Sequence, residues 1–283
     1  MLSSRVSGER RGLYYGRVWV DALTFDEALD AFEALVRAGR GGRVFTPNID
    51  HVVLAEQDAR FAKAYARADL SFADGMPLVA LSRLRKVHLP EKVSGSDFVL
   101  PLMERAAAHG WRVYLLGGMD GVAEVAAERL VLRYPKLQIV GCDPAFVDLA
   151  AAPSQRAAEI ARIAQTAPDI VLVALGAPKQ EVWIDEVAAG LAPAVLIGVG
   201  ASLDFLAGTA VRAPRWMSRF GLEWLHRLGK DPKRMIQRYL VRDAAFPAIL
   251  ARQFAGEVIR ELAREPPRQP PGPDRPSGDP SHD

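Results

Sequence analysis

Along this chain, short runs of aliphatic and β-branched residues alternate with longer alanine-rich stretches whose apolar positions recur at helical spacing. Arg17 to Val20 predicts a strand. A helix follows, with Thr24 as N-cap and Glu27 three residues on, the spacing of a capping box. Val44-Phe45 ends a predicted strand that runs into Thr46-Pro47-Asn48, and Leu70 to Ala73 leads into Asp74-Gly75. Arg112 to Leu116 stops at Gly117-Gly118, after which Gly121 to Arg133 reads as a helix. Gln138 to Cys142 predicts a strand, and Ser154 is expected to cap a helix reaching about Thr166. Ile170 to Leu175 ends at Gly176, and Ala194 to Val199 ends at Gly200. Apolar strands alternating with amphipathic helices predict an α/β fold, a Rossmann-like, mainly parallel sheet with helices on both faces.

The pattern weakens after about Gly208. The expected organisation is a flexible leader over 1–16, an α/β catalytic core over 17–208 and a basic, aromatic helical appendage over 209–264. A proline-rich tail over 265–283 completes the chain. In that tail seven of 19 residues are proline, so it has little apolar surface to bury and is expected to be disordered.

Composition narrows the picture slightly. The 283 residues carry 36 Lys+Arg against 34 Asp+Glu, and 49% are hydrophobic, as in an ordinary globular protein. The single cysteine, Cys142, excludes an intrachain disulfide framework and a thiolate-rich zinc site. That points to a reducing cytoplasm. No continuous apolar stretch has the length of a spanning helix, and no signal-peptide core follows Arg5, Arg10 and Arg11.

Open α/β sheets bind ligands at the carboxyl ends of their strands, so the residues there are the candidates. Leu115-Leu116-Gly117-Gly118-Met119-Asp120-Gly121 is a strand, a glycine turn and a helix start. Such a turn lets a phosphate approach the backbone and the helix N-terminus; it is equally a ligand-free βα turn, and it does not match G-x-G-x-x-G. Asp143 after the next strand is placed to bond ribose hydroxyls, or to begin an Asx-Pro turn with Pro144. Asp74 is either a partly desolvated general base or a turn residue capping the helix near Met76. Thr46 and Asn48 either hold a sugar or cap the helix containing His51. In Gly176-Ala177-Pro178-Lys179-Gln180-Glu181, Pro178 suits a helix's first turn, and Lys179 there opposes the helix dipole unless an anion is bound.

Two absences bear on metals. No Asp-x-Asp occurs, and none of the five histidines pair at i, i+4. No metal site is expected, so a diphosphate leaving group would need arginines, lysines and backbone dipoles.

From Arg212 to Arg242 the chain carries nine Lys/Arg against Glu223 and Asp231, a local charge of +7, interleaved with Trp216, Phe220 and Trp224. This composition fits an interfacial anchor on an anionic membrane surface, or a solvated helix packed on the core. Nucleic acid is not expected as a partner, because no zinc-finger, RNA-recognition or helix-turn-helix signature accompanies the charge.

Several of these segments, taken together and in order, resemble the WecG/TagA/CpsF bacterial glycosyltransferases. They are Thr46-Pro47-Asn48, Ala73-Asp74-Gly75-Met76-Pro77, Val93-Ser94-Gly95-Ser96-Asp97, Tyr114-Leu115-Leu116-Gly117-Gly118, Tyr134-Pro135-Lys136-Leu137, Gly176 to Glu181, Gly198-Val199-Gly200-Ala201, Asp204-Phe205, Arg212-Ala213-Pro214, and Glu223-Trp224-Leu225-His226-Arg227-Leu228. The resemblance spans roughly residues 18–242. It implies a cytoplasmic enzyme, peripheral on the inner face of the cell membrane. This enzyme would move a hexose or N-acetylhexosamine-type sugar, such as N-acetylmannosamine, from a UDP-sugar to a sugar on undecaprenyl diphosphate, with inversion and without a metal or other cofactor. Glucosyl and uronosyl donors are alternatives.

By the same resemblance Asp74 would deprotonate the acceptor, while Thr46, Asn48 and Gln180 would line the pocket. Arg227, Arg234 and Arg238 would reach the diphosphate, and Gly117, Gly118, Asp143, Gly176 and Lys179 would serve the nucleotide. The family's Glu-Arg-Val is Glu91-Lys92-Val93 here, so Lys92 brings a point charge where a planar fork is usual. An oligomer is compatible with the sequence. Two competing classes are a nicotinamide-dependent oxidoreductase, supported only by Gly117-Gly118, and a non-catalytic membrane or nucleic-acid module.

Overall fold

The computed structural model describes residues 10–144, 147–214, 217, 223–230, 232 and 242–262. A hairpin of β1 (Gly12–Tyr15) and β2 (Val18–Asp21) opens the described chain and leads to α1 (Phe25–Arg37). The strand at residues 12–15 falls within the expected leader, because Leu13 and Tyr15 bury one face against the core. The Thr24–Glu27 capping box forms as the sequence indicates.

The elements that follow are β3 (Gly42–Phe45), α2 (Ile49–Gln57), α3 (Ala59–Ala66), β4 (Leu70–Ser71), α4 (Met76–Ser82), α5 (Gly95–His109) and β5 (Arg112–Gly117). After these come α6 (Val122–Arg133), β6 (Gln138–Asp143), α7 (Pro153–Gln165), β7 (Ile170–Ala174), α8 (Lys179–Val187), β8 (Val195–Gly198) and α9 (Ser202–Ala207). One departure concerns α7. Its N-cap is Ala152, not Ser154; Pro153, pre-set for a first turn, moves the start forward, and Gln155 Oε1 accepts from the Ala152 N–H at 3.1 Å.

Among the described residues, six strands form one parallel sheet in the order β4-β3-β8-β7-β5-β6. Strand side chains alternate between faces. Val171, Val173 and Leu196 therefore enter the core beneath α2, α3 and α8, while Ile170, Leu172, Val195 and Ile197 enter the one beneath α1, α5, α6 and α9. Because both faces are covered, the central strands read as continuous apolar runs. The hairpin sits beside the β4 edge, where Asp21 Oδ2 accepts from the Ser71 N–H at 2.8 Å and the Trp19 carbonyl accepts from the Ser71 hydroxyl at 2.6 Å.

Among the described residues of the C-terminal region two further helices are present, α10 (Glu223–Lys230) and α11 (Phe246–Leu262), the latter entered through a 3-10 turn at Asp243–Ala245. Phe246, Ile249 and Leu250 of α11 pack into the core on the α2 side, and Gln253 bridges to the hairpin through the Gly16 N–H and the Tyr14 carbonyl. The C-terminal region thus returns to the α/β core. The expected tail over 265–283 lies outside the described residues.

Candidate active site

The carboxyl ends of β3, β8 and β7 open into a cavity of about 440 Å³, within the range of small-molecule sites. Local sequence explains how each wall arises. Leaving β3, Thr46 is almost fully buried, and its hydroxyl reaches the Gly198 carbonyl at 3.3 Å, tying β3 to β8. Asn48 is the N-cap of α2, its Oδ1 accepting from the His51 N–H at 3.4 Å. Asp74 follows β4; its N–H donates to the Pro47 carbonyl at 2.8 Å, which holds the exit of β4 against that of β3. The N-cap of α4 is Gly75, so Asp74 does not cap that helix and its half-buried carboxylate lines the cavity instead.

Gly176, at a positive φ of 72°, turns the chain from β7 towards α8. Gln180 in the first turn of α8 then lies under the cavity, almost fully buried, its Oε1 accepting from the Gly200 N–H at 3.1 Å. Of the sequence-predicted residues, Thr46, Asn48, Asp74, Gly176 and Gln180 meet here.

The others are placed elsewhere. Lys92 lies outside the lining, paired with Asp97 at 3.6 Å. Asp97 also receives Arg212. Burial works to raise the Asp97 carboxyl, but the Ser94 hydroxyl, Arg212 and Lys92 hold it below the usual carboxylate range. Gly117 and Gly118 end β5 and pack against β7, with the Gly118 N–H donating to the Ala174 carbonyl at 3.2 Å. Asp143 accepts from the Tyr114 hydroxyl and pairs with Arg162. Lys179 opens α8 half-buried and outside the lining. Arg227 falls in α10, with its side chain outside the described residues; Arg234 and Arg238 lie outside them altogether.

Five further lining residues carry charge or polarity: Asp204, one of the residues after a strand end, and Asp50, His51, Ser96 and Arg242, which sequence reasoning missed. Asp50 and His51 are buried in the first turn of α2, and Asp50 pairs with Arg242 at 3.0 Å. Two adjacent polar residues directly before the apolar run 52–55 were the available signal. Arg242 gave none, being one cation among many. Together with Arg212, which bonds Ser96 Oγ at 3.0 Å, it pins both ends of the basic segment to the rim.

Beneath the rim, His51 Nδ1 and the Tyr65 hydroxyl are 2.7 Å apart. Burial, then the Glu181 and Asp74 carboxylates, push the Tyr65 phenol well above its ordinary range, so it stays neutral. Among the described residues no cluster of three His, Cys, Asp or Glu could hold a metal ion, and no helix is long and apolar enough to cross a membrane.

A doubly wound parallel sheet with a carboxylate- and amide-lined cavity across its central strand ends defines the class: an α/β protein with a candidate ligand site at those ends. Residues 14–258 match the Glycosyl transferase WecG/TagA/CpsF family. The chain belongs to that family and is a glycosyltransferase. It is similar to the N-acetylglucosaminyldiphosphoundecaprenol N-acetyl-beta-D-mannosaminyltransferase of Bacillus spizizenii, 33% identical over 196 residues covering 69% of this chain and 74% of the relative. The enzyme of the same name from Bacillus subtilis is 31% identical over 199 residues, covering 69% and 75%.

Proposed function

We propose that this protein moves an N-acetylmannosaminyl group from its UDP donor to an N-acetylglucosamine carried on undecaprenyl diphosphate, inverting the anomeric carbon. The observation that carries this reading is the meeting of Asp74 with Thr46, Asn48 and Gln180 in one cavity, in a chain whose relatives bear the name of that reaction. Asp74 takes the proton of the acceptor hydroxyl as its oxygen attacks the anomeric carbon. The bond from that carbon to the UDP oxygen breaks, and UDP leaves with the electron pair. Thr46, Asn48 and Gln180 orient the sugars. Cations of the basic segment, with Arg242 at the rim and Arg227, Arg234 and Arg238 as further candidates, compensate the charge of the departing diphosphate.

The acceptor's polyprenyl chain stays in a bilayer, so the enzyme must come to it. The +7 segment pinned at the rim suits the anionic inner face of the cell membrane, each Lys or Arg near the surface adding about 1 kcal/mol.

The test offers UDP-N-acetylmannosamine, UDP-glucose and UDP-uronic acids to the purified protein with the lipid-linked acceptor, and reads product and anomeric configuration by mass spectrometry and NMR. The expected outcome is a β-linked N-acetylmannosaminyl product at a rate EDTA leaves unchanged, with the protein sedimenting on anionic vesicles. A glucosyl or uronosyl product changes the donor. A saturable single-site requirement for Mg²⁺ or Mn²⁺ overturns the metal-free leaving group, and failure to sediment overturns the membrane contact.

A further inference from the structure

Glu181 is wholly buried in the first turn of α8, next to Gln180. Its Oε1 accepts from Gln180 Nε2 at 2.6 Å, and its Oε2 is buried with no hydrogen-bond partner among the described residues. The Gln180 amide therefore has both ends engaged: Nε2 on Glu181, Oε1 on the Gly200 N–H at 3.1 Å. It also lies hard against Gly198, where an added Cβ would come within 2.8 Å of Nε2. Turned by half a revolution, this amide would set its NH2 against the Gly200 N–H and its oxygen against the Glu181 carboxyl. Both contacts would then fail as hydrogen bonds whenever Glu181 is ionised.

We propose that Glu181 is a positioning residue for sugar transfer: it selects the orientation of the Gln180 amide and, through it, places Gly200 against the cavity. This rests on the reading of Gln180 as a group that contacts substrate. Burying a carboxyl with one oxygen unbonded is costly, and an apolar side chain of similar size would avoid that cost. What the carboxyl supplies that such a chain would not is an acceptor aimed at Gln180.

The geometry also survives a change of charge. Burial pushes the Glu181 carboxyl up to about 7, against the lowering effect of its hydrogen bonds and with the Asp50 carboxylate of α2 adding to the rise. The Tyr65 phenol of α3, itself neutral, feels the same carboxylate. A proton carried on Oε2 leaves Oε1 free to keep accepting from Gln180.

The experiment is a double-mutant cycle on kcat and KM for transfer, using Gln180→Ala, Glu181→Met and the double variant, with Glu181→Gln as the conservative control. Glu181→Gln still offers Gln180 an oxygen and is expected to keep transfer close to wild type. Glu181→Met removes the acceptor at similar volume and is expected to lower kcat by roughly 10- to 100-fold, the scale of a small misplacement in a reacting site. In the Gln180→Ala background the same change is expected to do nothing further.

Equal loss from Glu181→Met in both backgrounds overturns the proposal, since the residue then acts other than through Gln180. Should Glu181→Met not fold, Glu181→Gln decides alone: wild-type folding with transfer as poor as in Gln180→Ala overturns it. If Gln180→Ala by itself leaves transfer unchanged, it is the reading of the site that fails, a result distinct from the other two.

Discussion

Two stretches of the same sheet edge carry glycines and aspartates at or after their strand ends, and their surroundings differ. At the ends of β3, β8 and β7, Gly176 and Gly200 border an open cavity lined by Asp50, Asp74 and Asp204. At the ends of β5 and β6, Gly117 packs so tightly that an added Cβ would lie 2.3 Å from the Ala174 carbonyl oxygen, and Asp143 is engaged by Tyr114 and Arg162. The glycines of the first stretch turn the chain beside open space, with nothing within 4 Å of a Cβ at Gly176 or Gly200. Gly117 instead admits the neighbouring backbone. A glycine after a strand thus marks a positive φ, a close neighbour or both, and only the tertiary surroundings tell these apart.

The sharpest test of this contrast is Asp74→Asn. It removes the proton acceptor while keeping the shape, and transfer is expected to fall by about 10²- to 10⁴-fold with UDP binding and melting temperature unchanged. Near-normal turnover would move the base to another carboxylate, such as Asp204 in the lining or Asp97 beside it.

Gly117→Ala comes next and is expected to act through stability. At a φ of 126° and with the Ala174 backbone in the way, the change should cost on the order of 2–3 kcal/mol, read as a lowered melting temperature, while the remaining folded protein binds UDP normally by calorimetry. Lost UDP affinity at full stability would instead make this turn part of the nucleotide site.

The smallest effect is expected from Asp143→Asn. Arg162 is half-exposed, and the pair is worth about 0–1 kcal/mol. Neither residue lines the cavity, so transfer and UDP affinity should change by less than about twofold. A tenfold weaker UDP affinity would join the two stretches into one binding surface.

Much of this was legible in the residues. The change of period along the chain located most strands and helices, since a half-turn repeat and a helical repeat place apolar side chains differently. Strand ends then nominated Thr46, Asn48, Asp74, Gly176 and Gln180, which do meet. Local competition was harder to read. Asp74 and Asn48 had the same two readings, base or pocket against cap, yet Asn48 caps α2 while Gly75 takes that place before α4. Glu181 was visible only as one of three polar residues crowded into a first turn. Its burial and its hold on Gln180 depend on what α8 packs against.

By itself the sequence determined the alternation of elements, the two-sided burial of the central strands and the positions where strands stop. Each follows from interactions within a few residues: side-chain periodicity, caps and glycine turns. The order β4-β3-β8-β7-β5-β6 is another matter. A strand's pattern says which faces it buries but not which strand lies beside it, because the pairing joins backbones far apart in the chain. That pairing sets β3 beside β8, which brings Thr46 to Gly198 and Gln180 to Gly200, and it seats β5 against β7, which engages the Gly118 N–H. The tertiary structure decided which strand ends share a cavity, because convergence of residues so distant in sequence exists only once the sheet has formed.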